Sequence, residues 1–136
     1  MPSSEPLLLD THALLWWQAG GERLSKRARS AINAATSILV SPISAWEIGT
    51  LIAKGRVKLD RPLMHWVDTL FRNDRIESLA LTPLIAAQAA SLDAFHGDPA
   101  DRMIYASALF HQCPLLTKDG KINTYAGDRG DVRVIW

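Results

Sequence analysis

The sequence predicts a three-layer α/β/α fold with a mostly parallel sheet of about five strands. Short apolar runs alternate along the chain with longer segments of helical spacing. The leading runs are apolar throughout, the pattern of strands covered on both faces. Right-handed crossovers between such strands put helices on both sides of the sheet. With 136 residues, 48% of them hydrophobic and 21% charged, the chain suits one domain, 1–136, with a sizeable core.

Each element has its own justification. Leu7-Leu8-Leu9 reads as the first strand, and His12 to Trp17 starts a helix that Gly20-Gly21 ends. Ser25 caps a second helix, roughly Lys26 to Ala35. Ser37 to Ser41 is a second strand, and Pro42 fits the first turn of a helix that runs to about Lys54 and stops at Gly55. A basic connector, Arg56 to Leu59, leads to a fourth helix near Pro62 to Arg72, with Leu63, Trp66, Val67 and Leu70 at helical spacing. Ile76 to Leu81 is a third strand, and Thr82-Pro83 opens an alanine-rich helix through Leu92. Phe95-His96-Gly97 forms a loop before a sixth helix, Asp98-Pro99 to about His111. Pro114 to Thr117 is a fourth strand, Asp119-Gly120 signals a turn, and Val132 to Ile135 is a fifth strand.

Composition excludes several classes. A formal net charge of +1 gives no global support to nucleic-acid binding, so any such case rests on local patches. The single cysteine, Cys113, excludes an internal disulfide and a cysteine-based zinc site, and it fits a reducing compartment. No apolar run approaches the length of a membrane span. Met1-Pro2-Ser3-Ser4-Glu5 lacks the basic and apolar regions of a signal peptide, so a cytoplasmic protein without membrane attachment is expected. There is no G-x-x-x-x-G-K-[ST] phosphate loop and no nucleophile elbow.

The chemistry lies in where the acids fall. Asp10 ends the first strand and precedes a helix, which places it at the carboxyl edge of the sheet, where open α/β folds bind ligands. It reads equally as a helix N-cap. Glu47 is the only acid between Arg23 and Leu59, and it lies about one turn into the helix leaving the second strand. Its neighbours Ile43 and Leu51 set it at the border of the packed face; the alternative is a boundary residue facing water. Asp98 is explained by capping, and Asp101, three residues on, projects to the same side. Asp119 follows the fourth strand, either as a turn residue or as a further acid of the same edge. Asp10, Glu47, Asp101 and Asp119 come from separate elements and all map to one edge.

Carboxylates gathered within a few ångströms repel one another and take up protons unless a cation is present. Oxygen ligands without cysteine point to Mg²⁺ or Mn²⁺. No histidine pair has metal-ligand spacing, and His12 and His96, near the proposed site, read as surface or packing residues. A carboxylate-held ion without a phosphate loop suits phosphodiester hydrolysis.

Leu9-Asp10-Thr11-His12, Ser44-Ala45-Trp46-Glu47-Ile48, His96-Gly97-Asp98-Pro99-Ala100-Asp101-Arg102 and Leu116-Thr117-Lys118-Asp119 occur in this order. Together they resemble the PIN-domain ribonucleases, and more narrowly the VapC toxins of type II toxin–antitoxin modules. The likeness covers nearly the whole chain. It implies Mg²⁺- or Mn²⁺-dependent endonucleolytic cleavage of RNA, often tRNA or rRNA. It further implies Asp10 and Asp101 as leading metal ligands, Glu47 as a ligand or water-positioning group, and Asp119 completing the pocket or holding a second ion. Thr11 and Thr117 would hydrogen-bond within the site, with Asp98 in support. Ala100 departs from the bulky apolar residue expected there. A homodimer and a cognate antitoxin, whose tail fills a groove beside the acids, are also implied. Trp16, Trp17 and Trp46 lie near that edge and would either anchor the interface or belong to the core. The basic stretches Arg23 to Arg29 and Lys54 to Lys58 would either meet RNA phosphates or simply be solvated.

Other readings fit less well. A haloacid-dehalogenase-like phosphatase wants a second acid two residues after the first, where this chain has His12. A receiver domain needs a phosphorylatable acid after a middle strand, and Leu79-Ala80-Leu81-Thr82 has none. A catalytically inactive PIN-like interaction module would have no need of all the acids.

Overall fold

The structure, a computed structural model, describes residues 5–136. The reading of Met1–Ser4 as lacking a leader lies outside the described residues. The chain runs β1 (Leu7–Leu9), α1 (Thr11–Gln18), α2 (Lys26–Ala34), β2 (Ile38–Val40), α3 (Pro42–Ala53), α4 (Leu63–Leu70), β3 (Ile76–Ser78), α5 (Pro83–Ala90), α6 (Pro99–His111), β4 (Leu115–Leu116), α7 (Gly120–Arg129) and β5 (Val134–Ile135). All strand pairs are parallel, in the order β3-β2-β1-β4-β5.

That order reverses at β1. The chain builds outward to β2 and β3, then returns to lay β4 against the free side of β1. The carboxyl ends of β1 and β4 therefore flank a topological switch point, where helices leave toward opposite faces and a crevice opens between them.

The run Leu7-Leu8-Leu9 is fully buried because its side chains supply two cores. Leu7 and Leu9 join Ile38, Val40, Leu14, Ile32 and Ile48 on one face. Leu8 joins Leu39, Leu115, Ile104, Tyr105 and Ile122 on the other. This period of two puts one helical layer on each side. A smaller cluster, Ile85, Ala89 and Ala106, seals α5 against α6. Ala100 is buried at 1% exposure, so a small side chain fits that corner.

The helices start where side chains cap them. Asp10, Ser25, Ser41, Thr82, Asp98 and Asp119 each accept a hydrogen bond from a backbone N–H in the first turn of the following helix. Gly20 and Gly21 end the first helical segment with φ of 106° and 79°, backbone that side chains resist.

One element was absent from the sequence reading. The segment after Asp119-Gly120 is a helix, α7, rather than a turn and connector. Ile122 and Ala126 bury its inner face, and that packing outweighs the weak helix propensity of Gly120 and Gly127. The strands are also shorter than their apolar runs: the third ends at Ser78, and Leu79 and Leu81 pack as loop residues. No helix among the described residues is long and apolar enough to cross a membrane.

Candidate metal centre

A cleft of about 410 Å³ opens at the switch point, lined by Asp10, Glu47, Asp98, Asp101 and Asp119 together with His12, Trp16 and Lys118. The five acids arrive on four supports. Asp10 leaves β1, Glu47 sits in α3, Asp98 and Asp101 form the first turn of α6, and Asp119 caps α7.

Asp10 is the fixed member. It is 6% exposed. Its Oδ1 accepts the Ala13 N–H at 2.8 Å, and its Oδ2 accepts the Thr117 hydroxyl. Burial pushes its carboxyl up to about 6, and the two hydrogen bonds hold it from going higher. Thr117 is itself buried and accepts the Asp119 N–H at 3.1 Å, which ties β4 to both acids. Asn123 donates to the carbonyls of Thr117 and Asp119 at 3.2 and 2.8 Å and steadies that turn.

Asp101 is the strained member. Its carboxyl is pushed up to about 8, first by burial and then by the charges of Asp98, Glu47, Asp119 and Asp10. It is less buried than Asp10 yet more perturbed, because four neighbouring carboxylates add to burial in raising it and it lacks the hydrogen-bond donors that lower Asp10. His96 Nε2 lies 3.3 Å from its Oδ2, a close approach without hydrogen-bond geometry. The His96 ring stacks on Phe95 with centroids 4.5 Å apart.

One oxygen each from Glu47, Asp98 and Asp101 lie within 4.8 Å of one another. An all-oxygen set of this charge fits a hard divalent cation, which would offset the repulsion that adds to burial in raising the Asp101 carboxyl. The tightest group thus includes Asp98, which the sequence reading assigned to capping and support. Its Oδ1 does cap α6, accepting the Asp101 N–H at 2.9 Å, but its carboxylate also faces the cleft. Thr11 lies off the cleft: it is buried and hydrogen-bonds Ser44 at 2.9 Å, pinning α1 to α3 beneath the acids.

Residues the sequence reading left without a role also build the site. Arg102 donates to the carbonyls of Ala89, Ala90, Leu92, Phe95 and His96, which anchors the start of α6 to the end of α5. Lys118 reaches the cleft wall and lies 5.8 Å from the Trp16 ring centroid. Of the tryptophans, Trp16 lines the cleft, Trp17 packs on the core, and Trp46 is 57% exposed.

The PIN domain family model matches residues 7–128. Ribonuclease VapC22 of Mycobacterium tuberculosis is 38% identical over 124 residues, covering 90% of this chain and 94% of that protein. Two solved structures share the fold. VapBC2 from Rickettsia felis, bound to a promoter DNA fragment, superposes with a TM-score of 0.64 at 12% identity, covering 95% of this chain and 96% of the other. A toxin–antitoxin complex from Klebsiella pneumoniae gives 0.57 at 19% identity, covering 86% and 87%.

Proposed function

This chain belongs to the PIN-domain family, and from that premise we propose that it is a divalent-metal-dependent endoribonuclease acting as the toxin of a toxin–antitoxin pair. The observation that carries the reading is the meeting of Asp10, Glu47, Asp98, Asp101 and Asp119 in one cleft, with Asp101 pushed up to about 8. A relative named as a ribonuclease supports the reaction, and neighbours solved as toxin–antitoxin complexes support the partner.

Glu47, Asp98 and Asp101 would hold Mg²⁺ or Mn²⁺ by their carboxylate oxygens, one from each lying within 4.8 Å of the others. When bound, the ion supplies Lewis-acid polarisation of the phosphoryl group and compensates charge on the leaving oxygen. Asp10, held by Thr117 and Ala13, faces the same space and would either share the ion or orient the attacking water. Glu47 lines the same cleft and would help to position that water, and Asp119 completes the acidic wall. Lys118 meets the negative charge of the incoming strand at the cleft mouth. The substrate is tRNA or rRNA in the cytoplasm, and a cognate antitoxin closes the cleft.

The test is incubation of the pure protein with total RNA. Discrete fragments are expected with Mg²⁺ or Mn²⁺ and none with chelator. Asp10→Asn and Asp101→Asn should abolish cleavage while the circular dichroism spectrum stays native. Cleavage by either variant at the wild-type rate would overturn the assignment. Light scattering tests the homodimer, which should show twice the chain mass of 15.0 kDa.

A further inference from the structure

A second depression, about 770 Å³, adjoins the acidic cleft and shares His12 and Trp16 with it. Its rim carries Arg23 from the α1–α2 connection and Arg56, Lys58 and Arg61 from the α3–α4 connection. Among its described lining residues Asp60 is the sole acid, and it is paired with Arg61 at 2.9 Å. Arg23, Arg56 and Lys58 are exposed and form no ion pair among the described residues. In a chain of net charge +1, this is a local concentration of unneutralised cations. At the junction with the cleft, Arg23 lies 4.7 Å and Lys118 5.8 Å from the Trp16 ring centroid. Trp66 stands half-buried in the groove wall.

We propose that this groove carries the single-stranded flank of the RNA whose scissile phosphate lies among the acids. The inference rests on the ribonuclease reading above. The acids alone repel a polyanion, so a substrate needs positive surface directly beside them. The groove supplies it in a continuous path: Lys118 and Arg23 meet the phosphate next to the scissile one, and Arg56 and Lys58 meet those further along. Trp66 offers a ring face to an unstacked base. Cationic grooves with an aromatic wall bind single strands in this way, without requiring a particular sequence.

The experiment measures binding of a short oligouridylate, kept intact by chelator, by fluorescence anisotropy across a salt series. Each phosphate contact contributes about 0.7 to the slope of log affinity against log salt for a single strand. The double variant Arg56→Gln/Lys58→Gln should lose about 1.4 from that slope and bind about tenfold more weakly near 0.1 M salt. Both positions are exposed, so folding is not at stake, and thermal unfolding confirms it. Arg23→Gln should lose about half as much slope. Arg72→Gln, on an exposed ion pair with Asp68 outside the groove, should change neither quantity. Unchanged slope and affinity in the double variant would overturn the inference, even if the wild type cleaves RNA. So would retention of oligouridylate binding with loss of a co-purified protein partner, which would make the groove a protein dock. Cleavage of total RNA by the wild type with Mg²⁺, run in parallel, tests the ribonuclease reading separately.

Discussion

Removing one negative charge from the cleft should stabilise the metal-free protein, and the gain should depend on pH. The perturbation is Asp101→Asn, which keeps the shape of the side chain and leaves the capping bond from the backbone N–H to Asp98 in place. In the folded metal-free protein the Asp101 carboxyl is raised from 3.8 to about 8. A carboxyl raised on folding contributes no penalty below its unfolded value, near pH 3.8, and stability is lost as pH rises through about 8. The full shift, about 4 units, corresponds to roughly 5–6 kcal/mol. The side chain is 19% exposed at a cleft mouth, and solvent screening reduces this to about 2 kcal/mol. For a chain of 136 residues that is a rise in Tm of about 7 °C. The assay is thermal unfolding by circular dichroism in chelator, with wild type and variant compared from pH 4 to 8.5. The difference should be near zero at pH 4 and largest at the alkaline end. Excess Mg²⁺ should narrow or reverse it, since wild type gains more from the ion than the variant does. A variant equally stable or less stable than wild type at pH 8 in chelator would refute the reasoning. So would a difference that does not vary with pH.

Further outcomes follow from the same geometry. Apparent Mg²⁺ affinity, read by titration calorimetry, should rise by up to about tenfold per pH unit between about 6 and 8 as the proton leaves Asp101, more steeply below 6 where Asp10 is protonated too, and then level off. Thr117→Val leaves Asp10 Oδ2 without its donor; it should cost about 1–2 kcal/mol in urea unfolding near neutral pH and weaken divalent-ion binding at least tenfold. Arg102→Lys cannot reach the carbonyls now shared by the guanidinium and should lower stability by about 2 kcal/mol, with cleavage falling because the first turn of α6 loosens. Gln112 closes α6 in left-handed backbone at φ 53°, so Gln112→Gly should raise stability by about 0.5–1 kcal/mol and leave cleavage unchanged.

The acids were legible in the sequence because each follows a pattern that physics ties to one place. An apolar run, then an acid, then a helix can put Asp10 only at the carboxyl edge of a parallel sheet. Asp98-Pro99 fixes the start of α6, and a helix that leads into a strand must begin at that same edge. Asp98 is placed by its capping role, and nothing local in the sequence reveals that its carboxylate also comes within 4.8 Å of those of Glu47 and Asp101. Helix α7 was hidden by Asp119-Gly120 and Gly127, which speak for a turn; its helicity comes from Ile122 and Ala126 docking on a distant core. Arg102 was equally opaque, because its partners are main-chain carbonyls of α5 and the following loop rather than side chains at a readable spacing. The exposure of Trp46 and the partial burial of Trp17 depend on which helix faces meet, which periodicity alone leaves undecided.

The reversal of strand order has a consequence for timing. The hydrogen bond between Asp10 and Thr117 joins residues 107 positions apart, and it forms only once β4 has slotted in beside β1. During translation, Asp10, Glu47, Asp98 and Asp101 all emerge before that strand is made. A nascent or prematurely terminated chain therefore holds most of the acids without the scaffold that gathers them. Gathering of the acids therefore waits on the late docking of β4 beside β1, and no earlier stretch of the chain can complete the cleft by itself.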